Sequence, residues 1–461
     1  MKLKKITALM LASALLLATA ACDNGGGENN GENTSTAPEQ TGSQTSVESG
    51  EETNAPSKLP DNTEEPPPSN VTDLNDYSYA DGAADAPYSL DGTITDRMIA
   101  LSELNKGNQV RLASVMKKAG EGNDITVAYI GGSITQGVSG GDNGCYAKLV
   151  TNWFESTFSN SKINYVRAGI GATGSYIGVH RADRDVISQK PDIVFVEFSV
   201  NDTTENTRRD VDSYDSLLRK LWNSESKPAV VCIGMTQENG TSVQNYHYDV
   251  AKNYDLPFIS YRNAILDVIK NGHIKWKDIS DDNIHPNAAG HKVLSELIIH
   301  YLESVNSSKD DISGDESDFS SAYTKDHYSE ASLITPANFE AFDETGNFKC
   351  IPDATFGNFT GYWLLRKQGG FNGAKLVFKD VEAKNFGLLF GKTTKAGTVL
   401  DVYVDGELAA NIDTRFPGGW GNYAEAAKIV SFEEKGKHTI EIVPQDMEDA
   451  SMITICGLLI S

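Results

Sequence analysis

Cationic residues are scarce in this 461-residue sequence: 40 Lys and Arg stand against 64 Asp and Glu, a formal charge of −24. Nucleic acid would be repelled rather than recruited by counterion release, and anionic lipid headgroups are disfavoured for the same reason. Cysteine is scarce as well. Five in the whole chain are too few and too scattered for a disulfide framework, and Cys232 and Cys456, inside apolar strand-like runs, read as small buried hydrophobes. No His/Cys cluster has zinc spacing, so no metal is expected; His247, His273, His291, His300 and His438 are expected in the core or on the surface. No Walker lysine follows a glycine-rich loop, and no repeat or heptad is evident. No cofactor is expected.

What is present starts with an export signal. Met1-Lys2-Leu3-Lys4-Lys5 is basic, and the apolar run Ile6–Ala18 is short for a membrane span. Thr19-Ala20-Ala21-Cys22 resembles a bacterial lipobox, with Thr19 where that motif prefers Leu. The resemblance implies a lipoprotein signal over 1–22, lipidation of Cys22, and attachment to the outer face of the cell membrane through that anchor alone; an ordinary signal peptide cut nearby is the alternative. Beyond Cys22, Gly, Asn, Thr, Ser, Pro and Glu dominate and aromatics vanish until Pro66-Pro67-Pro68 has passed. Such a stretch cannot bury enough apolar surface to offset its chain entropy, and 23–75 is expected to be a disordered acidic tether.

Two folded regions follow. Over 76–305, buried strand candidates (Ile125–Ile130, Ile163–Ala168, Ile193–Ser199, Ala229–Gly234, Pro257–Ser260) alternate with helix candidates (Tyr146–Thr157, Tyr214–Asn223, Val243–Tyr254, Asn287–Ser304, the last capped by Asn287). That alternation predicts a doubly wound α/β domain with a parallel sheet and its sites at the carboxyl ends of the strands. A polar stretch over 306–327 reads as a linker. After it the period becomes two: Thr398–Val404 turns at Asp405-Gly406 into Glu407–Ile412, His438–Val443 alternates, Met452–Ile460 closes, and Gly369-Gly370 and Gly418-Gly419 mark other turns. Residues 328–461 are expected to form an antiparallel β-sandwich or jelly roll.

Four short blocks carry chemistry. Gly131-Gly132-Ser133-Ile134-Thr135 ends the first strand, where the glycines allow a tight turn that exposes a hydroxyl; the G-x-S-x-G elbow is not met. Arg167–Gly174 follows the second strand with a glycine-rich backbone able to aim N–H groups. Ser199-Val200-Asn201-Asp202 follows the third and supplies an amide. Asp282-Asn283-Ile284-His285 sets a carboxylate three residues before an imidazole, so that the Asp can accept from one ring nitrogen and free the other to take a serine proton.

In this order and spacing the blocks resemble those of the SGNH (GDSL-type) hydrolase superfamily, over about residues 125–300. The resemblance implies Ser133 as nucleophile, His285 as general base, Asp282 as its orienter, and an oxyanion hole made by the Ser133 N–H, a backbone N–H of the second block and the Asn201 side chain. The backbone donor aligns with Gly171 or Ala172, and Gly171 is chosen. Gly132 replaces the family's usual Asp, and Ser199 its usual Gly. Export, tether and a sandwich module are similar to carbohydrate esterases with accessory domains, which implies removal of short acyl groups from an acetylated polysaccharide or oligosaccharide. A lipid or aryl esterase and a non-catalytic glycan-binding protein are the alternatives. Trp363 and Trp420, near turns, are candidates for sugar stacking or for sandwich core.

Overall fold

The computed structural model describes residues 70–461 apart from 84–85, 204–206, 326, 344–346, 367–372, 396 and 446–451. Cys22, the signal, most of the expected tether and the Gly369-Gly370 turn lie outside the described residues. Residues 70–75, counted with the tether, are docked: the Thr72 N–H donates to Asp249 (3.0 Å), and Leu74 is buried. Among the described residues no helix is long and apolar enough to cross a membrane.

Six strands make the first sheet: β1 (Glu103–Asn105), β2 (Ile125–Gly131), β3 (Ile163–Gly169), β4 (Ile193–Glu197), β5 (Ala229–Gly234) and β6 (Phe258–Ser260), in the order β1-β6-β5-β4-β2-β3. Strands β2 to β6 are parallel, and β1 adds a short antiparallel edge. The helices are α1 (Asp96–Ser102), α2 (Val110–Gly120), α3 (Ser133–Gln136), α4 (Gly141–Gly144), α5 (Tyr146–Thr157), α6 (Ser175–Asp185), α7 (Thr207–Trp222), α8 (Gln244–Asn253), α9 (Tyr261–Lys270), α10 (Trp276–Ile279) and α11 (Ala288–Ser308). Side chains on each strand alternate between two cores. Val127 and Tyr129 pack with α2, α5, α9 and α11, while Ala128 and Ile130 pack with α6, α7 and α8. After β2 the chain goes to one side, to β3, then returns to the other side for β4. The loops leaving β2 and β4 therefore part at a topological switch point, where open α/β sheets bind ligands.

Several boundaries moved for physical reasons. β4 stops at Glu197 because the Asn201 and Asp202 N–H groups both turn back to the Phe198 carbonyl (3.0 Å each). α7 begins at Thr207, earlier than the expected Tyr214: its first turns carry an Arg208–Asp212 ion pair (2.9 Å) where an apolar stripe would have signalled a helix. α6 gave no apolar signal because its buried residues include His180 and Arg181. The Asn287 cap does what its position predicts, its side-chain oxygen accepting from the N–H groups of Ala289 and Gly290.

The C-terminal sheet is antiparallel throughout, with β7 (Ser332–Ile334), β8 (Phe342–Asp343), β9 (Phe348–Phe356), β10 (Phe359–Arg366), β11 (Leu376–Lys392), β12 (Val399–Val404), β13 (Glu407–Asp413), β14 (Tyr423–Pro444) and β15 (Met452–Ile460). Positive φ at Asp405 (53°) and Gly406 (84°) makes the tight turn between β12 and β13. The long strands β11 and β14 pair along their length through three register shifts. Their far halves join β12 and β13, and their near halves join β15, β10 and β9. Trp363 on β10 nevertheless meets Phe378 on the far half of β11, ring centroids 5.0 Å apart. The continuous sheet therefore closes on itself as a β-sandwich whose layers share β11 and β14, bent at their bulges.

The connection between the two sheets is tightly docked. Phe319 is buried and stacks on Trp222 and Tyr254 (4.7 and 4.0 Å), and the Thr324 N–H donates to Asp215 (2.8 Å). One apolar core runs across the junction, uniting Tyr176 and Ile177 of α6 with Leu333, Phe359, Leu389 and Leu459 of the sandwich.

Candidate active site

Ser133 opens α3 directly after the first strand-end turn, and that turn needs its glycines. A Cβ at Gly131 would strike Thr135 and the Glu197 carbonyl; one at Gly132 would occupy the place of the Asn201 side-chain oxygen. The Ser133 hydroxyl lies 2.9 Å from Nε2 of His285, 152 residues away in sequence. On the far side of the imidazole, Nδ1 is 2.7 Å from Asp282 Oδ2, and the other Asp282 oxygen accepts the N–H groups of Ile284 and His285 (2.7 Å each). Partial burial pushes the Asp282 carboxyl up, but the bonds from the His285 ring and these two N–H groups outweigh it and hold it below the ordinary carboxylate range. Serine, imidazole and carboxylate thus form one hydrogen-bonded row at the carboxyl end of the parallel sheet.

Groups that the motif did not announce hold this row. The Trp276 indole N–H donates to the Asp282 carbonyl (2.6 Å). The Ser280 hydroxyl lies 2.8 Å from that carbonyl and 2.6 Å from the His285 carbonyl, and the Asn287 N–H returns to Ile279 (2.8 Å). Arg181, wholly buried, donates to the carbonyls of Ala168 (2.8 Å) and Gly131 (2.9 Å) and pairs with Asp185 (3.0 Å), tying together the ends of β2 and β3. An isolated Arg in a helix carries no sequence signal for such a role.

Of the expected anion donors, Asn201 packs its side-chain oxygen, buried and without a partner, against Gly132. The Asp202 carboxylate beside it accepts the Ser175 N–H (2.7 Å) and meets Nε2 of buried His247 (2.8 Å), pinning this loop to α6 and α8. Gly171 does not have the free N–H expected of it. That group donates to Oε1 of Gln136 (2.8 Å), although Gly171 does sit beside Ser133, a Cβ built on it lying 3.7 Å from Ser133 Cβ. Ala172, the other aligned residue, adopts a left-handed φ of 58°, and among the described residues no acceptor takes its N–H.

Beneath the site, Glu197 is fully buried at the end of β4; burial, then the Asp202 charge, pushes its carboxyl up to about 8. His247, His291 and His438 are buried. Among the described residues no His/Cys/Asp/Glu group is arranged to hold a metal ion. The two tryptophans part company: Trp363 is sandwich core, whereas Trp420 is 70% exposed and stacks on Tyr423 with centroids 4.9 Å apart.

Known proteins agree with this geometry. The profile of the GDSL-like Lipase/Acylhydrolase family matches residues 129–293. Among solved structures, a two-domain esterase (CEX) active on acetylated mannans is 31% identical with a TM-score of 0.72, and its form co-crystallized with mannopentaose is 30% identical with a TM-score of 0.71. Each match covers 78% of this chain and 96% of the other. No curated protein matches. With Ser133, His285 and Asp282 in one hydrogen-bonded row, and with relatives alike over both domains, the chain belongs to the GDSL-like (SGNH) lipase/acylhydrolase family and is a carboxylic ester hydrolase.

Proposed function

We propose that the protein removes O-acetyl groups from polysaccharide, acetylated mannan first among them, through Ser133, His285 and Asp282. The carrying observation is the 2.9 Å approach of His285 Nε2 to Ser133 Oγ, with the carboxylate on the other ring nitrogen. In the reaction, Ser133 Oγ attacks the acetyl carbonyl while His285 Nε2 takes its proton. The carbonyl oxygen gains negative charge and is met by the Ser133 N–H, the Asn201 amide and a backbone N–H of the second block. His285 returns the proton to the departing sugar hydroxyl, leaving acetyl on Ser133. Water, deprotonated by the same imidazole, then releases acetate and restores the hydroxyl. Asp282, held ionised, fixes the ring's tautomer and balances its charge when protonated.

The polysaccharide preference rests on the likeness to the mannan esterase and on exposed Trp420, backed by half-buried Tyr423, a flat apolar face suited to the CH-rich side of a sugar ring. Acetate release from acetylated mannan, acetylated xylan and p-nitrophenyl esters of rising chain length tests it. Mannan is expected to be turned over fastest and long-chain esters slowest, with Ser133→Ala inactive on all. Faster turnover of long-chain esters would favour a lipid or aryl esterase instead. We also propose export and anchoring through a lipidated Cys22. A labelled fatty acid should then be incorporated by the wild type and not by Cys22→Ala; equal labelling would refute the anchor.

A further inference from the structure

Three observations meet at the turn between β3 and α6. The Gly171 N–H is committed to Oε1 of Gln136, the last residue of the helix that begins with Ser133. The end of that helix lies directly against β3, since a Cβ at Gly169 would strike the Gln136 backbone. Ala172, the next residue, holds a left-handed φ that an L-residue keeps only when its surroundings over-determine it. The Gln136 contact clamps one side of Ala172. The Thr173 hydroxyl, donating to the Ile170 carbonyl (2.7 Å), clamps the other.

We propose that Gln136 is a positioning residue for catalysis: by taking the Gly171 N–H it locks the turn so that the Ala172 N–H becomes the backbone donor to the oxyanion formed at Ser133. Nucleophile and donor are then fixed to one another through a single side chain, without passing through the strands. The contact has an opposite reading, in which Gly171 is the donor and the Gln136 amide oxygen merely fills the hole until substrate displaces it. The two readings predict opposite signs when the oxygen is removed. This inference rests on Ser133 being the nucleophile.

The test is steady-state kinetics on p-nitrophenyl acetate for Gln136→Met, which keeps the length of the side chain and loses the acceptor, and for Gln136→Glu, which keeps an acceptor oxygen. Binding of a short trifluoromethyl ketone, which forms an oxyanion on serine, is measured alongside, with thermal unfolding as a check on folding and Ser133→Ala as control. For Gln136→Met, kcat is expected to fall about 10-fold, part of the loss that follows removal of a whole donor, with KM within about 2-fold. The ketone should weaken by a similar factor and the melting temperature should stay near the wild type. Gln136→Glu is expected to retain more of kcat than Gln136→Met. An unchanged kcat in Gln136→Met overturns the proposal, as does a raised kcat, which would mark the side chain as an obstruction. So does a loss of kcat that leaves the ketone affinity untouched. Should Ser133→Ala stay active, the nucleophile assignment fails; should it be dead while Gln136→Met is unimpaired, the Gln136 inference fails alone.

Discussion

Gly132 lacks a side chain because the Asn201 amide oxygen fills the place a Cβ would take. In this chain any side chain at 132 would have to push Asn201 aside. Restoring the family's residue should therefore do harm: Gly132→Asp is expected to lower kcat at least 10²-fold by displacing Asn201, about as much as Asn201→Ala, for which loss of one donor predicts 10²–10³. Activity preserved in Gly132→Asp would show that Asn201 has another way to reach the site. Glu197 offers a test by pH. Its folded carboxyl titrates near 8, against about 4.3 for a free Glu. Between those values the unfolded chain holds fewer protons than the native one, so this group costs stability as pH rises from about 4 to 8 and nothing further above. Its share of the slope approaches about 1.4 kcal/mol per pH unit. Urea unfolding at pH 5 and pH 8 should show Glu197→Gln losing less stability over that interval than the wild type; equal losses would contradict the assignment.

At the scale of elements, the site is a meeting of three strand ends and one helix approach, and Arg181 on α6 is the rivet. Its guanidinium serves two core carbonyls and the half-buried Asp185 carboxylate. Arg181→Ala would take one partner from each of two buried carbonyls and leave a gap in the core, while Asp185 keeps Arg184; a loss of about 2–4 kcal/mol is expected by chemical denaturation, and a loss under about 1 kcal/mol would remove it from that role. The legibility of the elements follows from the same physics. Strands buried on both faces are continuous apolar runs, so β2, β4, β5 and β6 could be read from the sequence, as could the half-buried edge strand β3, α5 and the Asn287 cap. The α6 helix could not, because the buried arginine and histidine that make it useful erase its apolar stripe. Ser133, Asp282 and His285 were readable because their spacing is set by local turns. Gln136, Ser280 and Trp276 were not, since each acts through one contact that only the fold creates.

For the whole molecule, the α/β layer and the sandwich share a core in which Tyr176, only a few residues after the second block, lies with Phe359 and Leu389. Phe319 in turn is stacked into the α/β side. Such continuity predicts that both regions melt together. Calorimetry of the chain from residue 70 onward should give a single transition, and a chain ending at Ser308 should be markedly destabilised or insoluble. Two well-separated transitions would show that the shared core contributes little. The polar composition of the connecting stretch hid this arrangement, because the few apolar residues that dock it are diluted among serines and aspartates.

The central claim is that Ser133, activated by His285, carries the acyl group. Peptide mass spectrometry after treatment with a fluorophosphonate measures this directly. The account predicts one adduct, on Ser133, absent from Ser133→Ala and formed far more slowly in His285→Ala. An adduct on another residue, or esterase activity that survives in Ser133→Ala, would contradict it.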